Sequence, residues 1–264
     1  MIDRQTIMQG IIPAKLREIE ERENVRVLHC VESGSRAWGF ASPDSDYDVR
    51  FIYARPPEYY LRLDKTRDVI EWQLDETLDI NGWDIQKALR LLHSSNPTLF
   101  EWNNSPIVYR TTPEWAKVSA VIEHFFQQKA GLFHYLSTAK KNYREYLKGD
   151  MVQPKKYFYV LRPILACRWI LEKQAPPPML FSELADTCLE DYMVPAVKEL
   201  LRVKMETPEI GLAPRVDVIN DYLDVSIEEI GQIIQALPND VRVTWDELNQ
   251  LFLEMVGLNR AVEF

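Results

Sequence analysis

Between two strand-like runs lies the segment that most restricts what this chain can fold into. The first run is Val25-Arg26-Val27-Leu28-His29-Cys30-Val31, and it breaks at Gly34-Ser35. The second extends from about Asp46 to Tyr53 and stops before Arg55-Pro56-Pro57, where prolines forbid further strand pairing. Glycine lets a backbone approach a ligand closely. Amides at a helix start, with a serine hydroxyl, suit a phosphate group. Nine residues separate Ser35 from Ser45, enough for a short helix and a return loop. Asp46 and Asp48 then project from one face of the second strand, because strand side chains alternate. Two such close carboxylates stay ionised most easily with a cation between them. Oxygen ligands suit Mg²⁺, which takes one or two carboxylates together with substrate phosphates and water. Asp-x-Asp and Gly-Ser are each common in surface turns; the combination, flanked by two strands, carries the functional reading.

The surrounding sequence predicts an α+β protein. A helix is expected over 12–22, with Ile12, Leu16 and Ile19 on one face. Further strands are expected over 69–73 and 78–84, and a helix over 85–92 stops before Asn96-Pro97. Beyond Thr112 the pattern becomes helical: 115–147, then 157–172 with Pro163 bending its first turns, then 194–205, 226–236 and 244–256. Ser226 and Thr244 precede Glu229 and Glu247 at capping-box spacing and predict two helix starts. The expected organisation is an α/β domain with a mixed sheet over 1–112, followed by an α-helical domain over 113–264.

Charge bears on the partner. The total is 31 Lys+Arg against 40 Asp+Glu, net −9, which by itself argues against nucleic acid. The distribution is uneven: residues 127–173 carry ten basic and three acidic side chains, whereas 174–264 carry six and seventeen. Local surface, not the mean, sets the field that a partner meets. A basic band thus permits RNA at one face, although solvated helix faces give the same pattern. No run approaches 18 apolar residues, so no membrane span is expected. The early charges of the first 25 residues do not resemble a secretory signal. Cys30, Cys167 and Cys188 are far apart and include no CxxC, which favours a reducing cytoplasm. The four histidines, His29, His93, His124 and His134, have no zinc-site spacing.

Gly34-Ser35, nine residues, then Ser45-Asp46-Tyr47-Asp48 resembles the signature of the DNA polymerase beta-like nucleotidyltransferase superfamily. More narrowly, Gly34 to Phe40, Ser45 to Arg50, Gly82 to Leu89, Ser95-Asn96-Pro97, Glu101-Trp102 and Lys155 to Pro163 are similar to the RlaP-type nucleotidyltransferases, which are associated with RNA ligase. The likeness spans roughly residues 30–180. It implies a nucleotidyltransferase domain, an NTP substrate, and two Mg²⁺ ions (Mn²⁺ as a substitute) held by Asp46, Asp48 and a third carboxylate on a later strand. Asp84 is the candidate, because it ends a strand and matches the family's Gly-Trp-Asp segment. Asp79 is its rival, and Asp84 also suits a helix cap before Ile85. Gly34 and Ser35 are expected to hold the triphosphate. Arg36, Lys155, Lys156 and Arg162 are candidates for nucleotide contact, and Tyr157 or Tyr159 for stacking on a base. The resemblance makes an RNA end under repair the leading acceptor. Protein AMP transfer of the antitoxin type, a small-molecule acceptor and a non-catalytic nucleotide- or RNA-binding module are the alternatives. A UDP-sugar glycosyltransferase would share Asp-x-Asp but not the Gly-Ser turn.

Overall fold

The computed structural model describes residues 6–75, 77–206, 211–241 and 243–258. Helix α1 (Ile12–Glu23) buries Ile12, Leu16 and Ile19 and ends at Asn24, whose φ of 50° reverses the chain into β1 (Arg26–Glu32). Strands β2 (Tyr47–Ala54), β3 (Val69–Leu74) and β4 (Leu78–Asp84) follow. Asp84 runs directly into α2 (Ile85–His93), and a tight turn leads to α3 (Pro97–Asn103) and β5 (Val108–Thr111).

The sheet order is β3-β4-β2-β1-β5. Among the described strands of this sheet only β2 and β4 run parallel; the other pairs are antiparallel, so the sheet is mixed as expected. Both faces are covered, which explains the near-continuous burial of β1 and of the second half of β2. Tyr47, Val49, Phe51 and Tyr53 pack with α1 on one face. Leu28, Val31, Ile52 and Ala54 pack with α2 and α3 on the other.

Beyond β5, the α-helices among the described residues are α4 (Pro113–Val121), α5 (Gln128–Tyr146), α6 (Pro154–Lys173), α7 (Phe181–Cys188), α8 (Val194–Glu206), α9 (Asp217–Ala236) and α10 (Asp246–Met255). The single helix expected over 115–147 is two, separated by a 3₁₀ turn at Ile122–Phe125 and an extended Phe126. The cause is tertiary. Phe125 is buried in the sheet core, and the Asp240 carboxylate accepts from the amides of Lys129 and Ala130 at 3.1 and 2.9 Å, capping α5 from 110 residues away. Two cap expectations also fail. Ser226 is buried inside α9, where its hydroxyl accepts from Arg168 Nη2 at 3.0 Å, and α10 begins after Trp245 with no side-chain cap. Trp245 stacks on His93, with ring centroids 3.6 Å apart.

The cores do not divide at residue 112. Trp115, Val118, Ile122 and Phe125 join the sheet core, as do Leu248, Leu251 and Met255 of α10. A second core, formed by α5 to α9, takes in one buried residue from the first region, Phe40, whose ring lies 4.6 Å from that of Phe158, with partly buried Trp38 packed against it. That insertion holds the segment after Gly34-Ser35 against α6. Pro163 lies inside α6, and the helix continues through it. Proline has no N–H for the carbonyl four residues back, that of Tyr159. Asn142 Nδ2 donates to this oxygen instead, at 3.0 Å.

Candidate active site

The end of β1 and the start of β2 are pinned together. Ser33 N–H donates to the Asp48 carbonyl at 2.8 Å, and Asp48 N–H donates to Glu32 Oε1 at 2.8 Å. Glu32 is fully buried; Tyr109 O–H donates to its other carboxylate oxygen, and burial pushes its carboxyl up to about 7. Gly34 follows with φ +59°, in one helical turn over Gly34–Ala37. A Cβ at Gly34 would stand 1.9 Å from Asp48 Oδ2. The glycine is therefore required twice, by its dihedral angle and by the closeness of the carboxylate.

Arg36 turns away from the cavity. Its Nε donates to the Asp46 carbonyl at 2.9 Å, its Nη2 donates to the Ser45 carbonyl, and the guanidinium lies 3.8 Å from the centre of the Tyr47 ring. It clamps the loop that presents Asp46. On the other side of that loop, Ser42 N–H donates to Ser45 Oγ, and buried Lys204 of α8 donates to Ser42 Oγ at 2.8 Å.

These elements enclose a cavity of about 280 Å³ lined by Gly34, Ser35, Asp46, Asp48, Lys155, Tyr159 and Lys204, among others. The structure thus brings together five of the expected residues: Gly34, Ser35, Asp46, Asp48 and Lys155. Of the two tyrosines, Tyr159 lines it. Tyr157 is buried elsewhere, its hydroxyl donating to Asn220 and accepting from Val216 N–H. Lys204 was not foreseen. It comes from a segment whose charge is predominantly acidic, 162 residues from Ser42, and no local pattern marks it.

Besides Arg36 and Tyr157, three expected residues lie outside. Lys156 directs its ammonium over the rings of Tyr146 and Tyr159, at 4.0 and 4.8 Å. Arg162 is buried and pairs with Glu101 Oε1 at 2.8 Å. Asp84 is at the wrong end of β4: it pairs in register with Tyr53, whereas Asp79 pairs with Asp48. Five residues of strand separate the two positions, roughly 16 Å, and strand alternation puts them on opposite faces. Asp84 is buried, accepts from Gln86 N–H at 2.8 Å and from Tyr60 O–H at 2.9 Å, and caps α2; burial raises its carboxyl to about 6. Asp84, expected beside the acidic pair, thus lies away from it, and Asp79 is the β4 aspartate that faces Asp48.

Asp79 and Asp48 share a cation. Arg50 Nη2 lies 3.0 Å from Asp48 Oδ1 and 2.6 Å from Asp79 Oδ2. Arg50 sits two residues beyond Asp48 on the same strand face, so strand alternation could have flagged it. Burial holds the Asp48 carboxyl above the usual range, with Asp79 and Asp46 adding to the shift and Arg50 opposing it. Among the described residues no three metal-ligating side chains converge into a cage. The donor set suits Mg²⁺ in its other mode, in which one or two carboxylates act with substrate phosphates and water.

The chain is 43% identical over 253 residues to a Bacillus subtilis (strain 168) protein named "Uncharacterized protein YcgL", covering 94% of this chain and 96% of that one. A crystal structure of a nucleotidyltransferase-like protein from Exiguobacterium sibiricum 255-15 aligns with 87% of this chain and 75% of its own, at 12% identity and a TM-score of 0.31. The family described as the RNA repair pathway DNA polymerase beta family, RlaP, matches residues 8–254, and the chain belongs to it.

Proposed function

We propose that this protein is a Mg²⁺-dependent nucleotidyltransferase that moves a nucleoside monophosphate from an NTP to the hydroxyl of an RNA end. One observation carries the reading: two carboxylates, Asp46 and Asp48, share a cavity of nucleotide-phosphate size with Ser35, Lys155 and Lys204. Acids alone would repel a triphosphate, and cations alone would leave a divalent ion without ligands. Their pairing across one cavity serves both.

Ser35, Lys155 and Lys204 receive the triphosphate, and Asp46 and Asp48 hold Mg²⁺, with Asp79 as the third carboxylate. Mg²⁺ held there would supply a lowered pKa for the attacking hydroxyl and charge neutralisation on the transferring phosphate. The acceptor oxygen bonds to the α-phosphorus, the bond from that phosphorus to the bridging oxygen breaks, and pyrophosphate leaves with its electrons. The hydroxyl proton goes to a carboxylate, which we assign to Asp79, and from there to solvent. Fixed lysines beside the leaving group stabilise charge where it develops. The basic band over 127–173, which supplies Lys155, supports RNA as the acceptor.

The test supplies labelled NTPs and Mg²⁺ with RNA, protein and small-molecule acceptors in parallel. Label is expected on RNA, and Asp46→Ala with Asp48→Ala removes it. Transfer that survives the double substitution refutes the assigned machinery, and label on protein alone replaces RNA with AMP transfer to protein.

A further inference from the structure

The cavity holding Asp46 and Asp48 shares lining residues with another. Trp38 and Tyr159 line it and also line a second cavity of about 300 Å³ that reaches Glu101, His134, Thr138 and Asn142. Pro97, His134 and Thr138 in turn border a third, of about 450 Å³, with Phe133 and Lys141 on its rim. One helix face connects the last two. On α5, Phe133, His134, Ser137, Thr138, Lys141 and Asn142 recur with helical spacing and line these cavities. Leu132, Tyr135, Leu136, Ala139 and Tyr143 occupy the core side. From Phe133 to Asn142 the face runs about 13 Å along the helix.

The floor of this passage is held without a bare buried charge. Glu101 Oε1 accepts from Arg162 Nη1 at 2.8 Å and from Tyr135 O–H at 2.7 Å. The Arg162 guanidinium lies 4.9 Å from the Trp38 ring centre, and Trp38 meets Tyr159 nearly edge-on at 6.0 Å. At the far end, Phe133 is 66% exposed, and exposed Lys141 lies two helical turns, about 12 Å, back along α5. The passage thus begins at the acidic pair and Lys155, has aromatic rings at its near end, passes Lys141 and finishes at the exposed ring of Phe133.

We infer that the three cavities form one groove that takes the unpaired end of the acceptor strand. Its terminal base lies against Trp38 and Tyr159, and a base further back stacks on Phe133. Single strands are bound by cations that follow the backbone and aromatic rings that stack on bases. This groove has both, and it is continuous with the proposed reacting centre. The assignment rests on the nucleotidyl-transfer reading only for which strand enters; the binding itself can be measured without NTP or metal.

The experiment is fluorescence anisotropy of the full chain with a short RNA duplex carrying a single-stranded tail, compared with the same duplex blunt. The tailed RNA should bind more tightly. Phe133→Ala should weaken it about fivefold or more, the loss of one stacked base. Lys141→Ala should lower the slope of log affinity against log salt by about 0.7, the loss of one single-strand phosphate contact. Lys140→Ala is the control, because Lys140 points toward Gly231 of α9, away from the groove. Unchanged melting temperatures show that the variants are folded. Equal binding of blunt and tailed RNA, or tailed binding unchanged in both groove variants, overturns the assignment. So does labelling of protein acceptors by a chain that binds no tailed RNA. If the groove variants weaken binding but no NTP is consumed, the groove stands and the proposed reaction falls.

Discussion

At one end of the parallel β2–β4 pair an arginine bridges two aspartates; at the other a single aspartate caps a helix. Asp48 and Asp79 face each other in register, and Arg50 spans them. Asp84, on the same strand as Asp79, is buried against Tyr60 and the first turn of α2. The residue type is identical and the local sequence favours Asp84, which ends its strand as a catalytic carboxylate would. What separates them is register: the pairing of β4 with β2 selects which aspartate meets Asp48. Charge in a strand is therefore informative only once its neighbour is known.

The sharpest way to break this comparison is to neutralise each aspartate in turn. Asp79→Asn should lower nucleotidyl transfer by on the order of 10³-fold, the loss of several kcal/mol of charge stabilisation. Asp84→Asn should leave transfer within about tenfold, because asparagine also caps helices well. Reversed ranks in a labelled-NTP assay would return the third carboxylate to Asp84.

The same contrast recurs among the cations. Lys155 and Lys204 line the cavity, whereas Lys156, adjacent in sequence, lies over Tyr146 and Tyr159. Lys155→Met or Lys204→Met should weaken NTP affinity about tenfold or more, the scale of one charged hydrogen bond. Lys156→Met should change it by less than about threefold. Equilibrium binding of a non-hydrolysable NTP decides between them.

Arg50→Met leaves Asp48 and Asp79 facing each other without a cation. The partners are partly exposed, so the expected loss is modest, about 1–2 kcal/mol. It should show as a melting temperature lowered by several degrees in EDTA and partly restored by Mg²⁺. Equal melting temperatures in the two buffers would mean that the carboxylates do not share a cation site.

The smallest effect belongs to the capping end. The folded-state pKa of Asp84 is raised to about 6 from 3.8, so between those values the folded chain binds more protons than the unfolded one. Stability from this group accordingly falls as pH rises through about 4 to 6. Asp84→Asn lacks that dependence: its melting temperature relative to the parent's should rise from pH 4 to pH 7. A pH-independent difference would contradict the burial of this carboxyl as its cause.

Much of the fold was legible because its signals are local. The apolar face of α1, strands β1 to β4 and the start of α2 all lie where alternation and periodicity predict them. Gly34, Ser35, Asp46 and Asp48 were legible for the same reason, since they sit within one turn and one strand. The break between α4 and α5 was not, because Asp240 makes that cap from a distant part of the chain. Ser226 misled because its hydroxyl answers Arg168 across the core rather than its own helix. The last helix looked like part of a separate helical domain, yet its apolar face completes the sheet core.

By itself the sequence determined the mixed α+β class, the turn that brings a glycine against Asp48, and the acidic pair beyond it. Each depends on spacing within a few residues, where backbone geometry leaves little choice. Tertiary structure alone decided that Asp79 rather than Asp84 stands beside Asp48, that Lys204 reaches the cavity, and that Arg162 serves Glu101. Those outcomes depend on strand register and helix packing, which join residues tens to hundreds of positions apart through contacts that no local pattern encodes.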